Sequence, residues 1–168
     1  MSLPLFCLLA LTAQTPQNSV SVEVPGLFWK GFEAVGERKV HSNVSVLLAL
    51  GGRFAGHGDF DSYTLGLGVG VRYWFNRFQL LSDLGGPVIG LRLDGAWTKI
   101  AARKTGSGLD TGSAVTSLRF GYRFVILRRV EITPEAGLAF TMGFDRVPWL
   151  VVSPRVGGVL GLTAGVVF

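Results

Sequence analysis

Apolar and polar residues alternate along most of the chain, and the clearest run lies between Tyr63 and Phe75. Every second residue there is large and apolar or aromatic, while the residues between are mainly glycine, with Thr, Arg and Trp. Because successive side chains of a β-strand point to opposite faces, this pattern predicts a strand with two unlike faces. The same alternation recurs near Ile89, in residues 117–126 and in residues 131–142.

Four further segments carry the alternation less regularly, in residues 20–24, 32–37, 44–50 and 156–168. Clusters of Gly, Pro, Asp, Asn and Ser separate the segments, as expected for connections between strands. The total of eight candidate strands is even, as in barrels that cross a bilayer on tilted strands of roughly 9–11 residues. The sequence therefore predicts an all-β protein in which residues 20–168 form an eight-stranded antiparallel up-and-down transmembrane β-barrel.

Charged residues fall on the same strand faces as the glycines, and Trp74 falls there too. An unpaired charge facing lipid at the midplane costs roughly 2–4 kcal/mol, so these residues belong in the lumen. Eight strands leave an interior just wide enough for its own side chains. Near-equal numbers of acids and arginines predict a lumen plugged by ion pairs; a narrow pore for small solutes, with arginines attracting anions, is the alternative. The predicted lumen charge network comprises Glu23, Glu33, Glu37, Arg53, Arg72, Arg92, Asp94, Arg119, Arg123, Glu131, Glu135 and Arg155.

Connections of two kinds alternate along the chain. With the N-terminus on the periplasmic side, the connections at that side are short, in residues 41–43 and 127–129, apart from a longer one at 76–86. Those at the opposite side are generally longer and rich in Gly, Asp and Ser, and they are predicted as loops at residues 25–30, 55–61, 101–113 and 145–153. Long loops at one end are typical of barrels whose loops face outward from the cell. The pattern predicts extracellular loops able to bind an exterior ligand.

The N-terminus differs from the rest of the chain. Residues 3–13 form a short apolar stretch, which predicts a signal peptide over residues 1–13, cleaved after Ala13, and export by the general secretory route. Residues 14–19 then form a short linker. Cys7, the single cysteine, lies inside the predicted signal peptide. Beyond it no run approaches the roughly 20 apolar residues of a membrane helix, although 48% of the residues are hydrophobic.

The sequence offers little sign of chemistry. The net charge of +5 is spread through the strands rather than gathered into a patch, so no nucleic-acid partner is predicted. His57 precedes Asp59, Asp61 and Ser62, and a Ser-His-Asp arrangement or a weak metal site there would fit a membrane-embedded lipid hydrolase. A solvated polar loop explains the same residues, and His41 lies in a predicted turn. We therefore predict no catalytic residues, no metal and no cofactor, and keep the hydrolase as the lesser alternative.

Three features resemble the small eight-stranded outer-membrane barrels of Gram-negative bacteria, of the OmpA, OmpX and OmpW kinds. They are G-L-G-V-G-V-R-Y-W-F at 66–75, F-G-Y-R-F at 120–124, and the aromatic Phe168 that ends the last strand. The resemblance implies a monomer in the cell outer membrane, in contact with its lipid and either structural, interactive or porin-like in role. It also implies that Leu162, Val166 and Phe168 are the signal read by the barrel assembly machinery.

Overall fold

The structure is a computed structural model and describes residues 18–24, 31–75, 85–103, 105, 108–127, 129–145 and 155–168. In this part of the chain the strands are β1 (Asn18–Glu23), β2 (Gly31–His41), β3 (Val44–His57), β4 (Phe60–Trp74), β5 (Gly86–Ala102), β6 (Gly108–Ile126), β7 (Val130–Asp145) and β8 (Arg155–Val167). Each strand is antiparallel to its neighbours, and β8 pairs with β1, so the sheet closes into a barrel. The predicted up-and-down architecture of eight antiparallel strands is confirmed.

Closure of the barrel depends on the pairing of β1 with β8. Val22 lies opposite Ala164, and the register continues to Ser19 opposite Val167. Asn18 and Phe168 then exchange backbone hydrogen bonds of 3.0 and 2.9 Å. Because these bonds include Asn18, β1 reaches at least two residues before the predicted start at Val20. No helix in the described residues is both long and apolar enough to span a membrane.

The two faces of each strand differ as the alternation predicts. On β4, Leu65, Leu67 and Val69 point outward and are 59%, 56% and 52% exposed, while Arg72 and Trp74 are buried in the lumen at 8% and 7%. A belt of exposed aliphatic and aromatic side chains surrounds the barrel in the same way on the other strands. A sheet that hides its charges and exposes its apolar residues is the inverse of a water-facing barrel.

Aromatic pairs mark the two margins of this belt. Phe54 and Tyr63 are in contact at one margin, with ring centroids 5.0 Å apart, and Tyr73 contacts Phe75 at the other, at 5.1 Å. On a strand tilted by about 40°, the rise from Tyr63 to Tyr73 is about 25 Å, the height of the apolar band of a transmembrane barrel. We call the end beyond Tyr63 the upper end, and the end with the turn residues 42–43, Leu127 and Arg129 the lower end.

Two of the predicted upper loops are wrong. Residues 55–61 are mostly strand, because β3 continues to His57 and β4 resumes at Phe60 after a turn at Gly58 and Asp59. Residues 101–113 are also mostly strand, since β5 runs to Ala102 and β6 begins at Gly108. Backbone pairing extends these hairpins above the belt. Strands there need no apolar outward face, so Gly, Asp and Ser can occupy strand positions.

Several predictions fall outside the described residues. The predicted signal peptide, residues 1–13, lies there, as do residues 14–17 of the predicted linker. The predicted loop at residues 25–30 and most of the segments at 76–86 and 145–153 lie there as well.

Candidate functional site

The lower half of the lumen is crossed by ion pairs between strands on different sides of the barrel. Arg72 on β4 contacts Glu37 on β2, with Nη1 and Oε2 2.5 Å apart, and also pairs with Glu135 on β7. Arg123 on β6 pairs with Glu131 on β7 and lies 3.7 Å from Glu37 Oε1. All five side chains are at least nine-tenths buried. We call these five residues the lower cluster.

Trp74 and Ser45 support the lower cluster. The indole Nε1–H of Trp74 donates to Ser45 Oγ at 2.9 Å, and Ser45 Oγ–H donates to Glu37 Oε1 at 2.5 Å. The guanidinium carbon of Arg123 lies 4.7 Å from the Trp74 ring centroid, a cation–π distance. Sequence reasoning placed Trp74 in the lumen without a role and missed Ser45, although its neighbours Val44 and Val46 already indicate that Ser45 faces inward.

The charges of the lower cluster are balanced by a residue from the layer above. The cluster has three carboxylates and two guanidinium groups, and a buried charge without a partner costs several kcal/mol. Arg119 on β6 supplies the third guanidinium group, with Nη1 3.5 Å from Glu135 Oε2. With Arg119, three guanidinium groups match the three carboxylates.

Apolar residues complete the closure on the side of β2 and β3. Val35, Leu47 and Ala49 point into the lumen and form a buried cluster with exposures of 6%, 8% and 2%. Between them and the ion pairs lies a cavity of about 20 Å³, lined by Arg72 and Glu135 among others. A space of that size holds about one water molecule. The lower half of the lumen is filled by its own side chains.

The upper half contains a second ion-pair group and a larger space. Arg92 contacts Glu33 at 2.5 Å and Asp94 at 2.6 Å. Beside them lies a cavity of about 370 Å³, which we call the upper cavity. Its wall includes Glu23 and Arg53, and much of it is glycine. The lining glycines are Gly31, Gly51, Gly52, Gly66, Gly68 and Gly95.

The structure brings together most, though not all, of the predicted lumen charge network. Six of its residues form or adjoin the lower cluster, and Glu33, Arg92 and Asp94 form the upper group. Glu23 lines the upper cavity outside these pairs. Arg53 and Arg155 are exposed, and neither has an ion pair among the described residues.

The other residues that the sequence singles out lie in or beside the hairpin turns that join β3 to β4 and β2 to β3. His57 ends β3 beside the Gly58–Asp59 turn. Asp61 is held by Arg103, whose Nη2 lies 2.7 Å from Asp61 Oδ1, and this hydrogen bond lowers the pKa of the Asp61 carboxyl. His41 Nδ1 lies 3.1 Å from Ser42 Oγ in its turn. The described residues hold no group of three or more His, Cys, Asp or Glu that could bind a metal.

Comparison with known proteins identifies the fold. No family model and no curated protein matches the chain. The solved structure of Ail, the attachment invasion locus protein of Yersinia pestis, matches with a TM-score of 0.54 and 12% identity, covering 92% of this chain and 100% of Ail. Neisserial surface protein A (NspA) matches with a TM-score of 0.54 and 15% identity, covering 89% of this chain and 91% of NspA.

Both structures are small eight-stranded outer-membrane β-barrels, and this chain has the same fold. The exposed apolar belt has the height expected of a transmembrane barrel, and the hairpins above Tyr63 extend beyond it. Leu162, Val166 and Phe168 lie on the outward face of β8 and its end, with Val166 and Phe168 53% and 63% exposed.

Proposed function

We propose that this protein is a closed outer-membrane anchor that presents its upper strands to the cell exterior as an interaction surface. The observation that carries the proposal is the lower cluster, in which Arg72 joins Glu37 and Glu135 across the lumen. A solute passing through the barrel would have to break these buried contacts. Leaving one member of a buried ion pair without its partner costs about 3–5 kcal/mol. The resting barrel therefore does not conduct.

The length and stiffness of the upper strands support an interaction role. β4, β5 and β6 have 15, 17 and 19 residues, more than the roughly 9–11 that cross a bilayer. Arg103 fixes the β3–β4 hairpin to the end of β5: its backbone N–H donates to Asp59 O at 2.8 Å, and its guanidinium group holds Asp61. A preorganised projecting surface loses little entropy when it binds a partner.

The names of the two similar structures agree with a role at the cell surface. One is an attachment invasion locus protein and the other a surface protein. For this chain we propose export by the general secretory route, assembly of a monomer through a signal formed by Leu162, Val166 and Phe168, and contact of the belt with outer-membrane lipid. The proposed exterior partner binds the hairpins rather than the lumen.

Planar-bilayer recording tests the closed state directly. The folded protein should give no stable conductance steps at neutral pH, whereas Arg72→Ala should give steps because it opens the space between Glu37 and Glu135. Arg155→Ala is the matched control, since Arg155 is exposed and outside the lower cluster. Stable open channels in the unaltered protein would contradict the proposal and favour the narrow pore.

A further inference from the structure

The upper cavity differs from the lower half of the lumen in both volume and charge pairing. Its volume of about 370 Å³ lies within the range of small-molecule sites, whereas the space below holds about one water. Glycines on β2, β3 and β4 leave this space, and Arg53 at its margin is exposed to solvent. Among the described residues, the cavity is therefore open on the side of Arg53, away from the lower cluster.

Glu23 is the lumen carboxylate with unused binding capacity. In the described residues, Glu33, Glu37, Asp94, Glu131 and Glu135 each have an arginine within 4.0 Å. Glu23 has no arginine within that distance in the described residues. It is half-buried, lines the upper cavity and interacts electrostatically with Arg92 and Arg119 at longer range. Desolvating a carboxylate is costly, so a cationic group that pairs with it is favoured.

The charges are also ordered by depth. The half-buried and buried lumen positions hold six carboxylates against five cations, the guanidinium groups of Arg72, Arg92, Arg119 and Arg123 and the ammonium group of Lys39, an excess of one negative charge. Above them, Arg53 lies at an exposed position that lines the cavity, and it has no ion pair in the described part. A ligand complementary to these charges has its cationic group toward the interior of the lumen and its anionic group toward Arg53.

We propose that the upper cavity binds a small zwitterion, with its ammonium group at Glu23 and its anionic group at Arg53. The arginine Arg92 is held by Glu33 and Asp94 and forms the floor. Arg119 lies beside Glu23: a side chain at Gly161 would contact Glu23 Oε1 at 3.6 Å and Arg119 Nη1 at 3.7 Å. Arg119 is itself paired with Glu135 at 3.5 Å, so it flanks the ammonium position with its charge already balanced.

Titration calorimetry of the folded full-length protein in detergent micelles tests the proposal, with phosphoethanolamine as the zwitterion. Ethanolamine and inorganic phosphate supply its two charged groups separately. Phosphoethanolamine should bind more tightly than ethanolamine, and phosphate should bind least. Glu23→Gln should weaken the binding of phosphoethanolamine and of ethanolamine by about tenfold or more, because it removes a charge-assisted hydrogen bond. Arg53→Gln should weaken the binding of phosphoethanolamine and leave the binding of ethanolamine unchanged. Arg155→Gln is the control for Arg53→Gln.

A cavity-filling pair tests the location independently of charge. Gly66 lines the cavity, and a side chain there has open space with its nearest neighbour at 3.6 Å, so Gly66→Leu should abolish binding. Gly158→Leu is the matched control, because Gly158 faces outward and a side chain there meets nothing within 4 Å. A heat-induced shift in gel mobility shows that each variant is folded. Absence of phosphoethanolamine binding, or binding unchanged by both Glu23→Gln and Gly66→Leu, would overturn the proposal.

Discussion

Arg72 and Glu135 meet inside the barrel although they lie on β4 and β7, so one ion pair ties together strands that share no backbone hydrogen bonds. Neighbouring strands of the barrel are held by their ladders, whereas strands on different sides of the lumen are held only by side chains. The lower cluster therefore acts as a cross-brace as well as a plug. Its loss should affect both stability and closure.

Arg72→Ala should destabilise the folded barrel by about 3–5 kcal/mol, because it leaves the buried carboxylates of Glu37 and Glu135 without their shared partner. The midpoint of urea unfolding in lipid vesicles measures the change. Arg155→Ala, which removes an exposed arginine, should shift the midpoint little. Equal shifts for the two variants would show that the ion pairs do not brace the barrel.

Trp74→Phe should cost about 1–3 kcal/mol, because Ser45 Oγ loses the indole donor at 2.9 Å in a buried site and the ring facing Arg123 is smaller. Trp97→Phe is a matched control, since Trp97 lies on β5 with 47% of its surface exposed. The same unfolding assay compares them. A larger effect at Trp97 would contradict the inward role of Trp74.

Arg72 and Trp74 show which parts of the structure are predictable from the sequence. Alternation around Arg72 and Trp74 is sufficient to place both in the lumen, because lipid admits only apolar side chains on the other face. It does not reveal that Arg72 meets Glu135 while Arg123 meets Glu131, since those pairs depend on the stagger of the strands around the barrel. The sequence predicts a loop at the Gly58 hairpin because, above the apolar belt, strands need not alternate apolar and polar residues.

Gly165→Val should impair barrel closure, because a Cβ at Gly165 would lie only 2.5 Å from Ser21 Cα on β1. Overpacking of this kind costs about 1–3 kcal/mol, and here it falls on the pairing of β1 with β8. The folded fraction can be read from unheated gel samples. Gly157→Val, on the same strand and face with nothing within 4 Å, should fold as the unaltered chain does. Similar losses in both variants would attribute the effect to β8 as a whole.

The Asp61–Arg103 pair predicts a pH dependence of the upper hairpin. The Arg103 hydrogen bond lowers the pKa of the Asp61 carboxyl, so the pair stabilises the hairpin above the ordinary aspartate range. That contribution is lost as the pH falls through the lowered pKa. Arg103→Gln should return the pKa of Asp61 to its ordinary range, which carboxyl NMR chemical shifts can follow. An unchanged titration would mean that Arg103 does not hold Asp61 in solution.

Cysteine labelling of intact cells should establish which end of the barrel faces the exterior. Asp59 lies in the turn at the upper end and Ser42 in the turn at the lower end, and both are exposed. In a Cys7→Ser background, a membrane-impermeant maleimide should label Asp59→Cys on intact cells and Ser42→Cys only after the outer membrane is permeabilised. The reverse pattern would place the projecting hairpins in the periplasm and remove the basis for an exterior interaction surface. Labelling of both sites on intact cells would instead show that the chain is not inserted across the outer membrane.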